Sequence, residues 1–132
     1  MTDSTMRKIG RALTVLVALF WLMDAAMKLA VLPQVGETMG PLGWPSDRGT
    51  VLTLGVIQAA ALALYLWPRS AVLGAILLTA YLGGAVATHA RVGSPLPSHT
   101  LFGVYLGVLT WGALWLRVPA LRAVIPLSPT KD

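Results

Sequence analysis

The stretch Trp21-Leu22-Met23-Asp24-Ala25-Ala26-Met27-Lys28-Leu29 decides how the rest of the chain is read. An acid and a base stand four residues apart inside an apolar run that extends from Ala12 to Leu32. At about 1.5 Å rise per residue, that run crosses the hydrocarbon of a bilayer, about 30 Å thick. Asp24 and Lys28 therefore fall inside a transmembrane helix. Each costs about 2.5–3.5 kcal/mol there on insertion scales, and charges kept at that cost are candidates for function. The order acid-then-base at i,i+4 also favours mutual neutralisation, with Lys28 snorkelling outward. A structural pair and a ligand- or proton-handling pair both satisfy the spacing.

Composition places the whole chain in the bilayer. Of 132 residues, 56% are hydrophobic and 11% charged, and the mean hydropathy is +0.73. A soluble domain of this length carries about 25% charge. The expectation is one integral membrane domain over residues 1–132. The net charge of +5 does not point to nucleic acid, because the basic residues stand at helix ends, where they set topology. The absence of cysteine excludes thiol–disulfide chemistry and iron–sulfur ligation within the chain. Arg7, Lys8 and Arg11 before an apolar run resemble a signal peptide, but Asp24 and Lys28 interrupt the run, so it reads as an uncleaved first helix.

The fold class is all-α: a four-helix up-down bundle with helices at about 9–32, 49–67, 71–90 and 101–117. Pro33 stops the first helix. Residues 33–48, with Gly36, Gly40, Pro41, Gly43 and Pro45, read as a loop, with Trp44 at headgroup depth. Trp67-Pro68-Arg69-Ser70 is a tight turn in which Ser70 caps the third helix. Thr79, Gly83 and Ala87, and beside them Ala80, Gly84 and Thr88, form small-xxx-small lines. Gly103 and Gly107 repeat the pattern on the fourth helix, and all four glycines read as helix-packing positions. Pro119 ends the last helix, Leu121–Pro126 is expected at the interface, and the final residues are expected to fray. Placing both termini in the cytoplasm puts seven basic residues inside (Arg7, Lys8, Arg11, Arg69, Arg117, Arg122, Lys131) and two outside (Arg48, Arg91). This gives an N-in, C-in orientation.

That topology gathers the polar residues toward the outer face. Asp24 lies about 22 Å up the first helix and Lys28 one turn beyond. Tyr81, Ala85, Thr88 and His89 share a sector of about 100° on the third helix. Asp24, Lys28 and His89 are the candidate catalytic or proton-relaying residues. Gln58, Tyr81, Thr88, Arg91, His99 and Trp44 are the candidate ligand contacts, and the expectation is a polar pocket open outward. His89 and His99 lack a third ligand at metal spacing, so no metal and no resident cofactor is expected. Gln58 fits an interhelical hydrogen bond better than a catalytic role.

Three segments resemble a known family: Asp24-Ala25-Ala26-Met27-Lys28-Leu29, Leu42-Gly43-Trp44-Pro45, and above all the run from Tyr65 through Thr79-Ala80-Tyr81-Leu82-Gly83-Gly84 to His89-Ala90-Arg91-Val92-Gly93-Ser94-Pro95. Together with Trp111 to Arg122 they are similar to the DoxX-like family of small bacterial membrane proteins. The resemblance implies a four-helix bundle in the bacterial cytoplasmic (inner) membrane. It further implies association with quinone-linked redox enzymes, and distant eukaryotic relatives act as assembly chaperones. Gln58 stands where related sequences often carry an acid, and Ser94 where Gly-Asp-Pro is frequent.

The leading functional expectation is a pocket for a small lipophilic molecule, a quinone among the candidates, in an accessory subunit of a redox system. An assembly subunit that docks a partner through Asp24–Lys28 is the second class. A proton-coupled transporter, dimeric along Gly103 and Gly107, is the third; Lys28 counts against it, since it would hold Asp24 ionised. Any catalysis would be acid–base chemistry on a lipophilic substrate.

Overall fold

The computed structural model describes residues 1–125. Six α-helices follow one another, and no strand occurs among the described residues. They are α1 (Asp3–Leu29), α2 (Pro33–Met39), α3 (Arg48–Leu66), α4 (Ala71–Arg91), α5 (Phe102–Arg117) and α6 (Pro119–Arg122). A 3-10 turn, Gly40–Leu42, follows α2, and a wide π turn, Leu96–Thr100, precedes α5. Four segments, α1, α3, α4 and the turn-plus-helix Leu96–Arg117, are long and apolar enough to cross a membrane. The chain is a multi-pass membrane protein.

Each long helix turns a narrow stripe inward. On α1 the stripe is Gly10, Thr14, Val17, Trp21 and Ala25; on α3 it is Val51, Gly55, Gln58, Ala61, Leu62 and Tyr65. On α5 it runs Gly103, Leu106, Thr110, Ala113 and Leu114. Steps of three and four residues keep these side chains on one face of a 3.6-residue helix. The outer faces carry large apolar residues, such as Leu19 at 61% and Val108 at 66% exposed. Lipid is as apolar as leucine, so the interior is chosen for close approach and hydrogen bonding rather than for hydrophobicity.

Glycine sets the closest approaches. A Cβ on Gly74 of α4 would lie 2.1 Å from the backbone nitrogen of Tyr65 on α3. One on Gly10 would lie 2.8 Å from the backbone nitrogen of Arg117, and one on Gly103 would lie 3.3 Å from the Leu82 carbonyl oxygen. Where helices touch this closely, polar side chains bond across to the neighbouring helix. The Tyr65 hydroxyl donates to the Thr110 carbonyl at 2.8 Å, and Trp21 Nε1 reaches the Thr110 hydroxyl at 3.4 Å. Arg117 donates to the Tyr65 carbonyl at 3.0 Å and lies over the Tyr65 ring. Arg122 pairs with Asp3 at 3.1 Å.

Several expectations are corrected. The first helix starts at Asp3, not near residue 9, because the Thr2 side chain caps it by accepting from the Thr5 N–H; its polar first turns extend the helix beyond the apolar run. Residues 33–48 are not a plain loop: Pro33 opens α2 at a position where its missing N–H costs nothing. Ser70 does not cap α4; its hydroxyl donates back to the Leu64 carbonyl at 2.9 Å. Gly83 and Gly84 are not packing positions within the chain, because a Cβ on either meets nothing within 4 Å. Pro119 opens α6, and Leu121, in the segment expected at the interface, packs into the core. Pro126, Lys131 and the expected frayed end lie outside the described residues.

Candidate functional site

The site begins with α1. One turn of helix brings Lys28 Nζ onto Oδ2 of Asp24, and the two form a salt bridge. The same oxygen accepts a second bond, 2.8 Å long, from Nε2 of Gln58 on α3. That amide also lies 3.3 Å from the Trp21 carbonyl oxygen. Gln58 is 0% exposed, so the three-residue cluster is anchored from inside the bundle. Gly55 allows the anchor: its absent Cβ would stand 3.0 Å from the Cβ of Lys28. Asp24 Oδ1 accepts from none of the described residues, and Gln58 Oε1 is buried without a partner.

Beside this cluster lies a cavity of about 530 Å³ between α1, α2, α4 and α5. Asp24 and Lys28 line it, with the aromatic walls Phe20, Trp21, Tyr81 and Phe102. Lys28 Nζ sits 5.9 Å from the centroid of the Tyr81 ring, within range of a cation–π contact. The Tyr81 ring stands edge-on to Trp21 with centroids 6.1 Å apart. Thr88, His89, His99 and Trp44 also contribute to the lining. His89 Nδ1 is 2.9 Å from the Ser94 hydroxyl, and His99 Nδ1 is 2.8 Å from that of Ser98. The two imidazoles lie 5.9 Å apart, centroid to centroid.

The segment between α1 and α3 covers part of this cavity. Gln34, Val35, Thr38 and Met39 of α2 line it, as do Leu42 and Trp44. Two contacts tie the segment to α4: Trp44 Nε1 donates to the Thr88 hydroxyl at 3.3 Å, and Arg91 donates to the Leu42 carbonyl at 2.7 Å. Val31 enters the segment with φ 51°, and Gly43 leaves it with φ 78°. The first is unusual for a β-branched residue. Before α3, the Asp47 side chain accepts from the backbone N–H of Thr50 at 3.0 Å and from its hydroxyl at 2.7 Å. The Thr50 hydroxyl, then its N–H, hold the Asp47 carboxyl below its ordinary value.

Seven of the nine residues singled out from sequence line the cavity: Asp24, Lys28, Trp44, Tyr81, Thr88, His89 and His99. Two do not. Gln58 lies behind Asp24 and orients its carboxylate, and Arg91 is spent on the Leu42 carbonyl. The expected polar pocket is corrected as well: the walls are mainly apolar, with a few polar groups among them. Sequence reasoning missed Phe20 and Phe102, whose rings meet at 5.4 Å, and the α2 residues. The α2 signal was present in Pro33 followed by Val35 and Met39, an apolar pair four residues apart.

No curated protein and no solved structure matches the chain significantly. A family model does match it, over residues 12–113, which takes in Asp24, Lys28, Gln58, Tyr81 and His89. With four membrane-length helices and this match over most of its length, the chain belongs to the DoxX-like family.

Proposed function

We propose that the protein binds a small lipophilic molecule with a polar head group, of the quinone kind, and serves as an accessory subunit of a redox system. The observation that carries this reading is the cavity of about 530 Å³ that joins aromatic walls to the Asp24–Lys28 pair. Ligand sites typically have volumes of about 300–1,000 Å³, apolar walls and a few placed polar groups. Asp24, Lys28 and His89 would hold the head group and exchange protons with it. Tyr81, Thr88, His99 and Trp44 would contact the ring and its substituents. The proposal places the bundle in a bacterial cytoplasmic membrane, up-down, with both termini in the cytoplasm and the cavity toward the outer face. The basic residues near both termini and Arg69 support that orientation.

The test is native mass spectrometry of protein gently extracted from its membrane, beside Asp24→Asn and Lys28→Met variants. The expected result is a small molecule on the wild type that is depleted on both variants. A short-chain quinone, offered in nanodiscs in its reduced, hydroxyl-bearing form, should bind saturably to the wild type and more weakly to each variant. Unchanged binding in both variants would remove the polar pair from the site. The assembly reading is weaker, because the bond to Gln58 turns Asp24 toward α3 rather than outward to a partner helix.

A further inference from the structure

We infer that the head group held in this cavity is neutral and presents a hydroxyl donor to Oδ1 of Asp24. A head group with carbonyl acceptors alone would leave that oxygen unmatched. The inference rests on the reading of the cavity as a lipophile site and adds the chemistry that selects among lipophiles.

The argument starts from the two oxygens of one carboxylate. Oδ2 already accepts from Lys28 Nζ and from Gln58 Nε2. Oδ1 accepts from none of the described residues, although Asp24 lines the cavity. An ionised carboxylate has acceptor capacity only. Its second oxygen is best matched by an N–H or O–H that the ligand brings, a charge-assisted bond stronger than a neutral one. Gln58 fixes this polarity: it is fully buried, and its Nε2 is turned toward the carboxylate.

Charge then narrows the donor. A cationic head at Oδ1 would stand beside the Lys28 ammonium, and an anionic one would meet the carboxylate itself. The pair is balanced by its own salt bridge, so a neutral head is favoured. Two of the donors that line the cavity are already used. Trp44 Nε1 donates to Thr88, and the Thr88 hydroxyl donates to the Gly84 carbonyl. The neutral donor that suits aromatic walls is a ring hydroxyl.

The test compares 4-octylphenol with 4-octylanisole, which share the ring and tail and differ by one O–H. Each is equilibrated with the protein in nanodiscs, and bound probe is quantified by mass spectrometry against empty nanodiscs. The wild type should retain the phenol about tenfold more tightly than the ether. In Asp24→Asn the amide oxygen stays with Lys28 and Gln58, and the NH₂ replaces Oδ1 at the cavity. The preference should then vanish or invert toward the ether. Equal saturable binding of both probes to the wild type would overturn the donor assignment and leave the lipophile site standing. A preference unchanged in Asp24→Asn would overturn Asp24 as the acceptor. Absence of saturable binding by either probe would sink the lipophile reading, and this inference with it.

Discussion

Around Gly74 and Tyr65, α3 and α4 touch backbone to backbone. Around Gly84 and Tyr81, about three turns further along α4, the helices stand apart over a cavity. In the first region a missing Cβ is filled by the neighbouring chain, and the Tyr65 hydroxyl has a partner at 2.8 Å. In the second, a Cβ on Gly84 meets nothing, and Asp24 keeps one carboxylate oxygen free among the described residues. The two regions share α4. They differ in whether small residues face another backbone or a space. The close-packed region fixes the geometry, and the open region leaves one oxygen of Asp24 without a partner among the described residues, at a position which that geometry sets.

The sharpest way to break this comparison is a pair of alanine substitutions on α4. Gly74→Ala forces a Cβ against the Tyr65 backbone, which has no side-chain rotamer to yield. We expect a loss of about 3 kcal/mol or more, seen as loss of folded, monodisperse protein in detergent. Gly84→Ala enters open space and removes a glycine from a helix interior, so stability should hold or rise, by up to about 1 kcal/mol. Equal effects of the two would erase the distinction between the regions.

Val17 within α1 and Val31 just beyond its end give a second contrast. Val17 is 2% exposed in the packed core, and Val17→Gly should cost about 3 kcal/mol through cavity formation and helix propensity. Val31 sits at φ 51° where α1 gives way to α2, so Val31→Gly relieves a left-handed backbone while losing some packing. The two terms should offset to within about 1 kcal/mol. Denaturation in the same micelles would compare them directly. Tyr65→Phe should cost about 1–2 kcal/mol, because it removes one buried hydrogen bond and keeps the ring under Arg117.

The smallest effect is expected at Asp47. Its carboxyl is held below its ordinary value by Thr50. A depressed carboxyl contributes stability above its unfolded value, near pH 4, and loses it as pH falls through the folded one. Asp47 is fully exposed, so screening keeps this contribution small. Asp47→Ala should lower the unfolding midpoint slightly at neutral pH and converge with the wild type in acid. A difference that persists in acid would assign the loss to something other than the charged cap.

The spanning helices were legible because a bilayer demands long apolar runs, and the family match because its segments lie along those runs. The ends of the helices were less so. Thr2 starts α1 through a single side-chain bond, and Pro33, read as a stop, is also the first residue of α2. Helical spacing placed Tyr81, Ala85, Thr88 and His89 on one face of α4, and all four line the cavity. Arg91 falls about 60° outside that sector, and it reaches the Leu42 carbonyl instead.

By itself, then, the sequence determined the helical class and the membrane setting and placed Asp24 and Lys28 one turn apart, because hydropathy and i,i+4 spacing act within one helix. The tertiary structure alone decided that Gln58 reaches across from α3 to share an oxygen of Asp24, that α2 covers part of the cavity, and that Gly74 is filled by its neighbour while Gly83 and Gly84 are not. Those outcomes depend on how far apart two helices stand. That distance is set by every inward residue on both helices together, and no single stretch of sequence encodes it.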